Sequence, residues 1–173
     1  MRKLLAAVAV VGLCGMTGTV LSAQRARAHA APASSESSVR FGPQVDFATN
    51  FDFGIGGRVE FDLAKAVGAP MFGAASFDYF FPGAGVHVWE INANGWYRLN
   101  VSHTTLRPYV GGGLNIANYS CSACLGFNAT RVGLNIGGGT KFTMQHSKLT
   151  PYAEARVELR TGGEFVLTGG LLF

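Results

Sequence analysis

From Arg40 onward the chain alternates apolar and polar residues with a period of two. That is the period of a strand whose two faces meet different surroundings. The stretch 106–117 is the clearest. Leu106, Pro108, Val110, Gly112, Leu114 and Ile116 share one face, and Arg107, Tyr109, Gly111, Gly113, Asn115 and Ala117 share the other. In 130–141, Val132, Leu134 and Ile136 oppose Arg131, Asn135 and Lys141. In 149–160, Leu149, Pro151, Ala153, Ala155, Val157 and Leu159 alternate with Thr150, Tyr152, Glu154, Arg156, Glu158 and Arg160. The pattern predicts eight strands, at 40–49, 55–63, 71–80, 87–99, 106–117, 129–142, 149–160 and 164–173. Between them lie turn residues: Asn50 to Gly54, Gly68-Ala69-Pro70, Pro82-Gly83, Gln145-His146-Ser147 and Gly162-Gly163. In the third strand, Phe72 and Phe80 fall on the polar face, which predicts a bulge or a shifted register there.

Alternation does not say which face points inward. A soluble barrel that holds a ligand has its apolar face inside, whereas a membrane barrel turns it out toward lipid. Each predicted strand is close to the ~9–11 residues that cross a bilayer at a tilt. Lysine is scarce, with only Lys65, Lys141 and Lys148 after the first 40 residues. The polar face is nearly balanced in charge. Asp46, Glu60, Asp62, Asp78, Glu90, Glu154 and Glu158 stand against Arg40, Arg58, Arg98, Arg107, Arg131, Lys141, Arg156 and Arg160. Aromatics gather at the strand ends. Phe47, Phe51, Phe53, Tyr79, Phe81, Trp89, Tyr119 and Phe127 are expected at one rim, and Phe41, Phe61, Tyr97, Phe142 and Phe173 at the other. These features favour the membrane barrel.

Composition excludes two other classes. Charged residues are 14% of the chain, against about 25% in a typical soluble domain, and apolar residues are 48%, too many for a disordered tail. After residue 21 no apolar run reaches the ~18 residues of a membrane-spanning helix. The start reads differently. Met1-Arg2-Lys3 precedes an apolar run over 4–21, and Ala28-His29-Ala30 offers small residues at a cleavage point. The expected organisation is a cleaved signal peptide at 1–30, a flexible linker at 31–39 and one barrel domain at 40–173. Arg2, Lys3, Arg25 and Arg27 are four of the 14 basic residues, so cleavage leaves 10 basic against 10 acidic. The isoelectric point near 9.2 therefore belongs to the precursor and is no nucleic-acid signal.

The strands Arg107-Pro-Tyr-Val-Gly-Gly-Gly-Leu-Asn-Ile, Thr130-Arg-Val-Gly-Leu-Asn-Ile-Gly-Gly-Gly and Pro151-Tyr-Ala-Glu-Ala-Arg resemble the small outer-membrane β-barrel family of Gram-negative bacteria. That family includes the OmpA transmembrane domain and OmpX types. The resemblance covers about residues 40–173. It implies an all-β fold: an eight-stranded antiparallel transmembrane β-barrel, an up-and-down meander with both termini in the periplasm. It also implies a monomer in outer-membrane lipid with no cofactor. The closing Phe165-Val-Leu-Thr-Gly-Gly-Leu-Leu-Phe173 is similar to the terminal strand read by the barrel assembly machinery, with Phe165, Leu171 and Phe173 as the signal.

With that topology the outer loops fall near 50–54, 81–86, 118–128 and 161–163. Cys121 and Cys124 in the third loop read as a small disulfide in an exported chain, with free thiols as the alternative. A metal site would need two more ligands. Ser102 adjoins His103 and Ser147 adjoins His146, but neighbours on a strand point to opposite faces, and both pairs fall in predicted turns. No catalytic, cofactor or metal residues are assigned. Arg58, Glu60, Asp62, Asp78, Glu90, Arg98, Arg107, Arg131, Glu154, Arg156 and Glu158 are expected to form an ion-pair network in the lumen, because a buried charge persists only when paired. An eight-stranded barrel is only just wide enough for its own side chains. Gly111, Gly113, Gly133, Gly137 and Gly139 on the lumen side either make room for long arginines or leave a water path; the sequence leaves both open. The function expected is that of a non-enzymatic outer-membrane protein supporting envelope integrity or surface interaction. The alternatives are a narrow pore for small solutes and a soluble periplasmic barrel binding an apolar ligand.

Overall fold

A strand with one apolar and one polar face leaves both backbone edges to be paired, and closure into a barrel pairs them all. The computed structural model describes residues 39–83, 85–102, 105–121, 126–144 and 147–173. The expected signal peptide and nearly all of the expected linker lie outside these residues. The elements are β1 (Val39–Ala48), β2 (Asp52–Asp62), α1 (Ala64–Val67), β3 (Met71–Phe80), β4 (Val86–Arg98), β5 (Leu106–Cys121), β6 (Phe127–Phe142), β7 (Thr150–Leu159) and β8 (Glu164–Leu172). Each strand pairs antiparallel with its neighbours in sequence, and β1 pairs with β8 to close the barrel. All eight expected strands are present. β5 and β6 run further than their pattern suggested, pairing as far as Cys121↔Phe127, so much of the expected 118–128 loop is a projecting hairpin.

The apolar face is outside. Val132 is 68% exposed and Ile136 58%, whereas Asn135 and Glu158 are buried. A soluble barrel would line a cavity with Val110, Leu114, Val132, Leu134 and Ile136; all five face out, so that reading is excluded. The bulge expected in β3 is absent. Its register runs without a break from Asp62↔Phe72 to Gly54↔Phe80 on one side and from Met71↔Tyr97 to Phe80↔Val88 on the other. Phe72 and Phe80 point into the barrel and are fully buried. The inward face is polar at mid-height and has an apolar layer on either side of it, which is why two phenylalanines belong on it.

Most expected rim aromatics do face outward, among them Phe47, Phe53 and Phe81 at one end and Phe41, Phe61, Tyr97 and Phe173 at the other. Phe51 and Tyr119 depart from that expectation. They turn over the barrel mouth, with ring centroids 5.5 Å apart and Phe51 5.7 Å from Phe80. The side chain of Phe127 lies outside the described residues. The ends also differ in their turns. Between β2 and β3, the Asp62 carboxylate accepts the Ala64 N–H at 2.7 Å, and Gly68 at φ 71° ends α1.

Candidate functional site in the barrel interior

The alternation that turns leucine and valine outward turns the chain's charges inward, stacked by height along the barrel axis. At the end that carries the chain termini, Phe72, Ala74, Trp96 and Tyr109 form an apolar plug. Tyr109 packs edge-on against Phe72 and Trp96, each at 5.2 Å between centroids. At the opposite end Ala48, Phe80, Val88 and Val166 form a second plug, covered by Phe51, Val86 and Tyr119. These buried side chains fill the barrel near each of its mouths.

Between the plugs lie two arginine hubs. Arg58 Nε donates to Glu60 at 3.0 Å and Nη1 to Glu154 at 2.7 Å. Lys141 pairs with Glu60, and the Tyr109 hydroxyl donates to Glu154 at 3.0 Å. In the second hub Arg156 Nε donates to Glu158 at 2.9 Å and Nη1 to Thr168 at 2.9 Å. Arg156 also lies 3.7 Å from Asp46, 3.6 Å from Asp78 and 3.9 Å from Glu90. Arg160 extends this hub outward, 2.6 Å from Glu90 and 2.8 Å from Glu158. These Arg160 contacts join charge to charge without an aligned N–H.

The deep interior is not balanced. Asp46, Glu60, Asp78, Glu90, Glu154 and Glu158 face four cations: Arg58, Lys141, Arg156 and Arg160. Neutral donors serve the surplus. Asp78 accepts from Gln44 at 2.6 Å, Ser76 at 2.9 Å and Asn92 at 3.0 Å. An amide cluster continues from there, with Asn115 and Asn135 both donating to Asn92 Oδ1, at 2.9 and 2.8 Å. Hydrogen bonds from uncharged groups stabilise a buried carboxylate just as a cation does, though each is weaker.

Seven of the expected network residues meet here: Arg58, Glu60, Asp78, Glu90, Glu154, Arg156 and Glu158. Four do not. Asp62 and Arg98 pair with each other at 2.9 Å at the terminus end, where both are part-exposed. Arg107 is exposed and donates to Thr143, and Arg131 donates to the Thr161 carbonyl at the opposite mouth. All four belong to the inward parity but sit beyond the plugs, where the barrel end opens. Asp46, Lys141 and Arg160 belong to the interior network but were missing from the expected one. Their parity was legible; their height was not. Of the five lumen-side glycines, Gly133 and Gly137 lie against the arginines Arg160 and Arg156, and Gly139 lies against an aromatic ring. A side chain at Gly139 would meet the Tyr109 hydroxyl at 2.6 Å, and one at Gly170 would meet the Tyr152 ring at 2.6 Å. At Gly139 and Gly170 the space is taken by aromatic rings.

Cys121 is disulfide-bonded, and Cys124 lies outside the described residues, as do His103 and His146. Periodicity gave no sign of one polar pair on the outer wall, Tyr79 Oη to His87 Nδ1 at 2.7 Å. Phe165, Leu171 and Phe173 all face outward, each more than a third exposed.

No protein-family model matches the chain, and no curated protein matches it in sequence. Solved structures do match in fold. The N-terminal β-barrel domain of OprF from Pseudomonas aeruginosa superposes with a TM-score of 0.61 at 20% identity, covering 78% of this chain and 96% of that one. Neisserial surface protein A superposes with a TM-score of 0.54 at 15% identity, covering 78% and 94%. The fold is that of the small outer-membrane barrels.

Proposed function

We propose that this chain is a bacterial outer-membrane protein whose barrel is a closed, non-enzymatic plug in the membrane, supporting envelope integrity or presenting its turns and the β5–β6 hairpin as a surface. One observation carries the reading: a wall that is apolar outside encloses charged hubs sealed by an apolar plug at each mouth. In water, so large an apolar exterior would drive aggregation; in a bilayer it is the solvated face. The fold shared with OprF's barrel domain and with Neisserial surface protein A supports the same membrane. The outward Phe165, Leu171 and Phe173 are proposed as the strand signal that barrel assembly machinery reads during insertion.

The test is single-channel recording of the refolded chain in a planar bilayer, with heat-dependent gel migration as the folding control. A folded, inserted and silent barrel supports the plug. Stable discrete openings overturn it in favour of a narrow pore. Failure to insert overturns the membrane reading itself.

A further inference from the structure

Charge is sorted along the barrel axis. At the terminus end, among the described residues, the side-chain cations are Arg40, Lys65, Arg98, Arg107 and Lys148, and Asp62 is the one side-chain carboxylate. Five against one leaves +4 on the side chains, and +3 with the Phe173 carboxylate at the same end. The interior, with six carboxylates and four cations, carries −2. The opposite mouth holds Asp52 and Glu164 with Arg131, or −1. The near-neutral total therefore hides a cationic collar at one end. Lys65, Arg107 and Lys148 are exposed, and Arg98 is a third exposed in its pair with Asp62. The turns of this end also carry large apolar side chains: Val67, Leu99, Val101, Met144 and Leu149 are between 40% and 56% exposed. Apolar side chains beside cations at a barrel rim match the boundary between acyl chains and phosphate headgroups.

We propose that this collar is a docking surface for the phosphate groups of anionic phospholipid in the leaflet that it faces. The inference rests on the membrane reading above. Complementarity of charge is the argument. A ring of cations near an anionic leaflet gains attraction from each member, and a zwitterionic headgroup offers no net charge to match. The apolar turn residues set the depth, holding the cations at phosphate level and out of bulk water. The opposite mouth, with its net negative side chains, gains nothing from anionic lipid.

The experiment uses the full chain refolded into phosphatidylcholine vesicles doped with spin-labelled phosphatidylglycerol or spin-labelled phosphatidylcholine. Electron spin resonance reads the motionally restricted fraction of each lipid. The expected result is a several-fold preference for phosphatidylglycerol, which declines with each cation removed in the series Lys65→Gln, Arg107→Gln and Lys148→Gln and is lost when all three are removed. The preference weakens in high salt, as surface electrostatics requires. Arg131→Gln, at the other mouth, leaves it unchanged. Equal restriction of the two lipids in an inserted barrel overturns the proposal while leaving the membrane reading intact. Displacement of the lipid by millimolar inorganic phosphate also overturns it, because the site would then hold free anions. A chain that never inserts fails at the earlier reading.

Discussion

Arg156 lies within 4 Å of four buried carboxylates, Asp46, Asp78, Glu90 and Glu158. Removing it would leave Asp46 and Asp78 with no cation partner among the described residues, and Glu90 and Glu158 with Arg160 alone. Arg156→Met is expected to destabilise the folded barrel by about 3–5 kcal/mol in equilibrium urea unfolding from lipid vesicles. Glu154 tests the other hub. Its loss alone leaves Arg58, which holds it at 2.7 Å, sharing Glu60 with Lys141, two buried cations on one carboxylate, so Glu154→Ala costs on the same scale. The double variant Glu154→Ala/Arg58→Met leaves Glu60 with Lys141 and is expected to cost clearly less than the two single changes added together. On the outer face the logic reverses. Leu134 is 53% exposed on the lipid-facing wall. Leu134→Arg is expected to cost about 2–4 kcal/mol in the same measurement. A neutral result there would mean that the wall does not face lipid.

At the scale of the element, the β2–β3 connection shows how a strand end is fixed outside the membrane. Burial pulls the Asp62 carboxyl upward, but the Ala64 N–H and the charge and hydrogen bond of Arg98 outweigh it, and its pKa lies below the ordinary carboxylate value. A depressed folded value means that its contribution is present above the unfolded pKa and disappears as pH falls through the folded one. Amide exchange at Ala64 is therefore expected to stay protected at neutral pH and to lose protection only as pH falls below the ordinary carboxylate value. Asp62→Ala removes the protection at every pH. The β3 strand illustrates a different lesson. Its alternation continues without a bulge because Phe72 and Phe80 serve as inward plugs, one at each end of the same strand.

For the whole molecule the question is conduction. Two apolar clusters lie in series in the lumen, so removing one leaves the other in place. Trp96→Ala and Phe80→Ala are each expected to remain silent in a planar bilayer. The double variant opens both mouths onto the ionic layer and is expected to give small discrete openings. Those openings should favour cations, because six carboxylates face four cations between the plugs. A reversal potential favouring anions would contradict that charge count.

The period-two pattern by itself determined the strand count and the parity of almost every residue, while the antiparallel meander was implied by the family resemblance. It did so because a one-residue slip would turn every apolar side chain into the wrong medium. It also placed Arg58, Glu60, Glu154, Arg156 and Glu158 on the inward face. Height along the axis was decided only by the closed barrel. Parity is local, but height depends on the stagger of eight strands, and that stagger separates Arg98 and Arg107 at the rim from Arg58 and Arg156 in the centre. The same stagger brings Arg58 of β2 to Glu154 of β7, residues far apart in the chain with nothing between them to announce the meeting. Closure also turned an even total of charge into a cationic end, an acidic centre and sealed mouths, because burial at each height admits only the side chains that find partners there.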